Sequence, residues 1–124
     1  MRPSEQQLKT IARGTVLVVN LDPSEGCEQN KTRPCVVVSA DSVNNRLKTL
    51  IVVPISSLKG RDPYPHEVFI RKGEGTLEFD SVAQPVQVRT IDRYLRVTAI
   101  LGRLPPATIS QISLKLFIVL GGIP

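Results

Sequence analysis

A small, mainly β domain with one C-terminal α-helix is the fold this sequence predicts. Three observations lead there. Aromatic side chains are only 4% of the 124 residues and tryptophan is absent, so the core must be Val, Ile and Leu, which favour strands. Ten prolines and eight glycines impose many turns and argue against a helical bundle. From Pro106 onward the apolar spacing becomes that of a helix. The length fits one domain, read as an N-terminal arm over residues 1–12 and a domain over residues 13–124.

Arg2 to Ala12 is polar, with Leu8 and Ile11 three apart, which fits a short helix or a loose arm. Gly14 opens a strand over Thr15–Leu21. Asp22–Thr32 is Pro, Ser, Gly, Asn and charges, a long loop of the kind that carries function. Pro34 begins the next strand, continued by Cys35–Ser39, and Asp41–Lys48 is a polar connection. Thr49–Ile55 is nearly all apolar and predicts a strand buried on both faces. A second long loop, Ser57–Pro65, precedes a strand over His66–Ile70 and a turn over Arg71–Gly75. Ser81–Val88 reads as a strand broken by Pro85, and Arg96–Leu101 as the last strand. Ile109, Ile112, Leu116 and Val119 then give a helix that starts near Pro106 and stops at Gly121-Gly122. Five or six short strands at this spacing predict a closed or strongly curled antiparallel sheet covered by that helix.

Sixteen basic residues against eleven acidic ones give a net charge of +5, dispersed along the chain. That suits a polyanion or an acidic protein as partner, and equally simple solubility. Two cysteines, Cys27 and Cys35, and one histidine, His66, are too few for a closed Cys/His zinc site. A Cys27–Cys35 disulfide fits the spacing, but no secretory signal is present, which favours reduced thiols. No apolar run approaches the about 18 residues of a membrane span, and a cytoplasmic protein is expected.

The most informative stretch is Gly26–Ser39, GCEQNKTRPCVVVS, followed from Thr49 by TLIVVPISS. Each sets polar residues beside a β-branched run. Arg33 stands where the first strand begins, and Ser56 and Ser57 where the second ends. An arginine and a hydroxyl at the ends of neighbouring strands can grip one phosphate. Taken alone, Arg33 also fits a strand-end ion pair, Ser56 a turn hydroxyl, and Glu28 a solvated loop carboxylate.

These segments belong to a larger pattern. RGTVLVVNLDPSEGCEQ, TRPCVVVSAD, TLIVVPISS, FDSVAQPVQVRTIDRYLR and LGRLPPATISQI, in this order from Arg13 to about Gly121, resemble successive blocks of the MazF/PemK/Kid ribonuclease toxins of bacterial toxin–antitoxin pairs. The resemblance implies a small SH3-like antiparallel β-barrel, shared with the gyrase poison CcdB, and a homodimer. It implies a sequence-selective endoribonuclease for single-stranded RNA that needs no metal or other cofactor and leaves a 2′,3′-cyclic phosphate and a 5′-hydroxyl. It implies an acidic, partly disordered MazE-like antitoxin as partner. By the same resemblance Arg33 and Ser56 are the catalytic pair, Glu28 is implicated with them, and Gln29, Gln87 and Arg89 line the RNA site. Gln29, Asn30 and Gln87 can read base edges, Lys31, Lys59, Arg61 and Arg89 can follow phosphates, and Ser57 joins the RNA-binding set.

The chemistry expected is attack of the 2′-hydroxyl on the adjacent phosphorus, which needs a base, an acid and donors for the phosphorane. One histidine excludes the two-histidine solution. Arg33 is the natural phosphate clamp, being always charged and forked; Ser56 donates a hydrogen bond, and Glu28 is the candidate proton acceptor. The sequence departs from the family pattern at Thr15, Asn20, Cys27 and Val86, and Leu17 and Val18 replace a bulky aromatic. Two other readings therefore stand beside the ribonuclease: a gyrase poison of the CcdB type, weakened by a Gly-Gly-Ile-Pro end without Trp, and a catalytically silent RNA- or antitoxin-binding module.

Overall fold

The computed structural model describes residues 2–21 and 32–123. They form seven strands, β1 (Thr15–Asn20), β2 (Thr32–Val37), β3 (Thr49–Ser57), β4 (Val68–Ile70), β5 (Ser81–Ala83), β6 (Arg89–Asp92) and β7 (Val97–Arg103). Four helices accompany them, α1 (Glu5–Lys9), α2 (Asp41–Asn44), α3 (Arg93–Arg96) and α4 (Pro106–Val119). The sheet runs β4-β5-β3-β2-β1-β7, with β6 also on β3, and every pair is antiparallel.

β3 is the pivot. One edge holds β2; along the other, Thr49–Val52 pair with β6 and Ile55–Ser57 with β5. Pro54 falls where the partner changes, and its carbonyl accepts the Gln84 N–H at 2.9 Å. Proline supplies no N–H in return, and the Gln84 carbonyl accepts the Gln87 N–H at 2.9 Å instead.

Alternation along β1, β2 and β3 sends side chains to both faces. Val16, Val36, Val53 and Ile55 pack with Ile70, Ile109 and Ile112 under α4. Leu17, Val19, Cys35, Val37, Leu50 and Val52 pack on the opposite face with Ile91 and Val97 and with Leu8 and Ile11 from the N-terminal segment. The N-terminal helix, which buries only Leu8, starts with a capping box, Ser4 and Gln7 satisfying each other's backbone N–H. Arg93, only 1% exposed, ties this end together. Its guanidinium donates to the carbonyls of Leu8, Lys9, Asn44, Leu47, Lys48 and Thr49.

The sheet is curled but not closed by backbone pairing. β4 and β7 stand at the ends of the order, and among the described residues no ladder joins them. The 3-10 turn Glu74–Thr76 packs against β7 instead, where the Thr76 hydroxyl donates to the Leu101 carbonyl at 3.1 Å. Gly75, at φ 61°, makes that approach possible, since a Cβ would run into Val16.

Other expectations are corrected locally. β3 extends through the hydroxyls to Ser57, and Ile51 is 37% exposed, so this strand is not buried on both faces throughout. The polar connection after β2 contains α2, because the Asn44 amide bonds Ser39 and Asp41 and closes a helical turn. The predicted strand Ser81–Val88 ends at Ala83; Pro85 starts a 3-10 turn, Pro85–Gln87, and the chain resumes as β6. The predicted strand His66–Ile70 shortens to β4, because Glu67 is drawn into a turn by the Tyr64 carbonyl, which accepts its N–H at 2.9 Å. α4 ends as expected, with Gly121 at φ 97° and its N–H on the Ile118 carbonyl.

Candidate active site

The register of β2 on β3 pairs Cys35 with Pro54 and Val36 with Val53. Continued by two residues, it sets Arg33 against Ser56. The side chains meet: Arg33 Nη1 donates to Ser56 Oγ at 3.2 Å. Together with Ile55, Ser57, Leu58, Lys59 and Arg61 they line a cleft of about 480 Å³. Three cations and two hydroxyls thus converge on one hollow. Lys59 and Gly60 take left-handed backbone, φ 54° and 85°, in the turn that brings Arg61 back to the cleft. This is a composition suited to an anion.

Beneath Ser56 lies a chain of polar contacts. Ser56 Oγ donates to Gln84 Oε1 at 3.1 Å, and Gln84 Nε2 donates to Glu67 Oε2 at 3.2 Å. Glu67 also accepts both terminal nitrogens of Arg61, at 2.9 and 3.0 Å, and the Tyr64 N–H at 2.9 Å. The Glu67 side chain is 2% exposed. The Arg61 fork, with the Tyr64 N–H and Gln84, holds its carboxyl down to about 2 against the opposing effect of burial. The same contact raises the Arg61 pKa. Arg61 lies over the Tyr64 ring at 4.4 Å, and Tyr64 stacks on His66 with ring centres 6.0 Å apart.

Cys35 follows Arg33 on the same face of β2. Burial pushes its thiol up to about 12, outweighing the lowering fields of Arg33 and Arg89. It is a free, buried thiol in the core and no nucleophile at neutral pH.

Of the residues singled out from sequence, Arg33, Ser56, Ser57, Lys59 and Arg61 come together in the cleft. Gln87 and Arg89 are exposed on the turn after β5 and on β6, and neither lines it. Glu28, Gln29, Asn30 and Lys31, with Cys27, lie outside the described residues. Sequence reasoning missed Glu67 and Gln84. Period-two alternation assigns Glu67 to the exposed face with Phe69, and only the turn through Arg61 and Tyr64 buries it. Gln84 stood inside a predicted strand, where its Pro85 neighbour was the one sign of a turn.

Over residues 12–120 the chain matches the family described as the PemK-like, MazF-like toxin of type II toxin–antitoxin systems. Among solved structures it is similar to a crystal form of MazF from Deinococcus radiodurans, at 25% identity and TM-score 0.73, over 90% of this chain and 96% of that one. An endoribonuclease from a mycobacterial species, in complex with its cognate antitoxin, shares the fold at 20% identity and TM-score 0.73, over 93% and 98% of the two chains. The toxin MazF-mt6 of Mycobacterium tuberculosis shares it at 17% identity and TM-score 0.71, over 89% and 99%.

Proposed function

The chain belongs to the PemK-like, MazF-like toxins of type II toxin–antitoxin systems, and on that premise we propose that it is a sequence-selective, metal-independent endoribonuclease acting on single-stranded RNA. The observation that carries the reading is the contact of Arg33 with Ser56, 3.2 Å, at the wall of a cleft that Lys59 and Arg61 also line. In this reading the scissile phosphate enters the cleft and the neighbouring 2′-hydroxyl attacks phosphorus. As the O2′–P bond forms the P–O5′ bond breaks, the leaving 5′ oxygen takes a proton from water, and the products carry a 2′,3′-cyclic phosphate and a 5′-hydroxyl. Arg33 supplies fixed positive charge to the phosphorane, the contribution of a preorganised donor. Ser56 holds that guanidinium, and Glu28 is the proton acceptor.

Lys59 is the freer cation for flanking phosphates, because Arg61 is neutralised by Glu67. Gln29, Asn30, Lys31, Ser57, Gln87 and Arg89 extend the RNA surface. The protein works in the cytoplasm, where an acidic MazE-like antitoxin competes with RNA for the basic cleft. It acts as a homodimer. The apolar residues Leu114, Phe117 and Leu120, more than half exposed at the C-terminal end of α4, support a second copy there.

The test is incubation of the purified protein with a long, unstructured RNA in EDTA, mapping every new end. Cuts at one short sequence, with cyclic phosphate ends and lost in Arg33→Ala, are expected. Intact RNA from a folded protein would overturn the reading.

A further inference from the structure

We propose that Gln84 and Glu67 are positioning residues that fix the direction of the Ser56 hydroxyl proton and, through it, the seat of the Arg33 guanidinium; the proposal rests on the endoribonuclease reading above. Neither residue touches the cleft. They act through the order of donors and acceptors beneath it.

The order runs outward from Glu67. An ionised carboxylate only accepts hydrogen bonds. The Glu67 carboxylate takes both terminal nitrogens of Arg61 and the Tyr64 N–H, and what Gln84 presents to it at 3.2 Å must therefore be its amide NH₂. That choice turns the amide oxygen of Gln84 toward Ser56. An amide oxygen cannot donate, so the single Ser56 proton is committed to it, across 3.1 Å. Arg33 carries donors only, and its Nη1 therefore meets a Ser56 lone pair, at 3.2 Å. Each polarity follows from the one before, back to the charge on Glu67.

The backbone keeps the relay in place. The Gln84 N–H is anchored on the Pro54 carbonyl at 2.9 Å, and the Gln84 carbonyl takes the Gln87 N–H at 2.9 Å. Ser56 is paired in the ladder with Val82. The side chains thus start from three fixed points, on β3, on the turn after β5 and on the turn before β4. With its proton turned inward, Ser56 presents only a lone pair to Arg33. Its contribution is to hold Arg33, and Arg33 faces the substrate charge.

The test combines kinetics with a spectroscopic readout. Gln84→Leu is expected to slow single-turnover cleavage at saturating RNA about tenfold while leaving KM within about twofold, since it disturbs a group that acts in the transition state. In a Ser56→Ala background the same change is expected to add nothing, because the relay is already broken. Independently of cleavage, the Arg33 side-chain nitrogen resonances are expected to shift or broaden in Gln84→Leu, in Glu67→Gln and in Ser56→Ala alike. Amide spectra establish that each variant is folded, and Gln84→Met replaces Gln84→Leu if the latter is not. Unchanged Arg33 resonances, additive rate losses, or an effect on KM alone would overturn the proposal. If the wild type cuts no RNA, the endoribonuclease reading falls and the Arg33 resonances alone decide the positioning role.

Discussion

Protonating Glu67 should remove a measurable part of the stability of the fold. The carboxyl titrates near 2 in the folded protein and near 4.5 when unperturbed. Because the folded value is the lower one, the unfolded chain binds the proton more readily. The contribution is therefore complete above about pH 4.5 and is lost as pH falls through that value toward 2. The gap of roughly 2.5 pH units, at about 1.4 kcal/mol per unit, makes on the order of 3 kcal/mol. Glu67 itself is buried, but its main partner Arg61 is a third exposed, so solvent screening makes this figure an upper one. Against a total stability of roughly 5–15 kcal/mol it is a large share. Gln at this position is close in shape to the protonated carboxylic acid. Glu67→Gln should thus cost up to about 3 kcal/mol at pH 7, or a drop of at most about 10 °C in Tm for a chain of this length. The assay is urea and thermal unfolding of both proteins from pH 7 down to pH 2. The difference between them should shrink steadily below about pH 4.5. A difference that is absent at pH 7, or that stays constant down to pH 2, would refute the reasoning.

Three further outcomes follow from the same geometry. Arg33→Lys keeps the charge but loses the fork that reaches Ser56, and cleavage should fall about 100-fold with RNA affinity changed less than about threefold, read by single-turnover kinetics and binding titration. Arg93→Met leaves six carbonyls without their guanidinium donor; it should cost roughly 3 kcal/mol and speed proteolysis near α1 more than elsewhere. Cys35, with a thiol pushed up to about 12 by burial, should resist a disulfide reagent at pH 8 in a Cys27→Ser protein and react only on unfolding, followed by absorbance.

The parts of the fold that announce themselves are those governed by local periodicity. Val16–Val19, Cys35–Val37 and Leu50–Val53 read as strands because β-branched runs leave no other efficient packing, and α4 reads as a helix from Ile109, Ile112 and Leu116 to Gly121. What was not legible depends on partners far along the chain. α3 and β6 exist because Asp92 caps the Tyr94 and Leu95 N–H groups and β6 finds the free edge of β3, neither of which leaves a period. Among the described residues no ladder joins β4 to β7, and Thr76 meets β7 at Leu101, some 25 residues on.

The site divides in the same way. Arg33, Ser56, Ser57 and Lys59 could be named because each stands at a strand end beside a polar turn, where side chains are free to meet a ligand. Arg61 reads from sequence as a phosphate follower; in the fold its charge is answered by Glu67. Glu67 and Gln84 lie 17 residues apart in sequence and meet only through folding. A buried carboxylate is improbable from composition alone, and only three-dimensional pairing makes it tolerable.

Cleavage of two matched oligonucleotides most directly tests whether the Arg33–Ser56 cleft runs an attack by the 2′-hydroxyl. Both would carry the mapped cutting sequence; one is all ribose, and the other has a single 2′-deoxy sugar on the 5′ side of the scissile phosphate. In EDTA the ribose form should be cut to a cyclic phosphate by the wild type and barely by Arg33→Ala, and the deoxy form should remain whole. Equal cutting of both oligonucleotides, or full activity in Arg33→Ala, would contradict the mechanism.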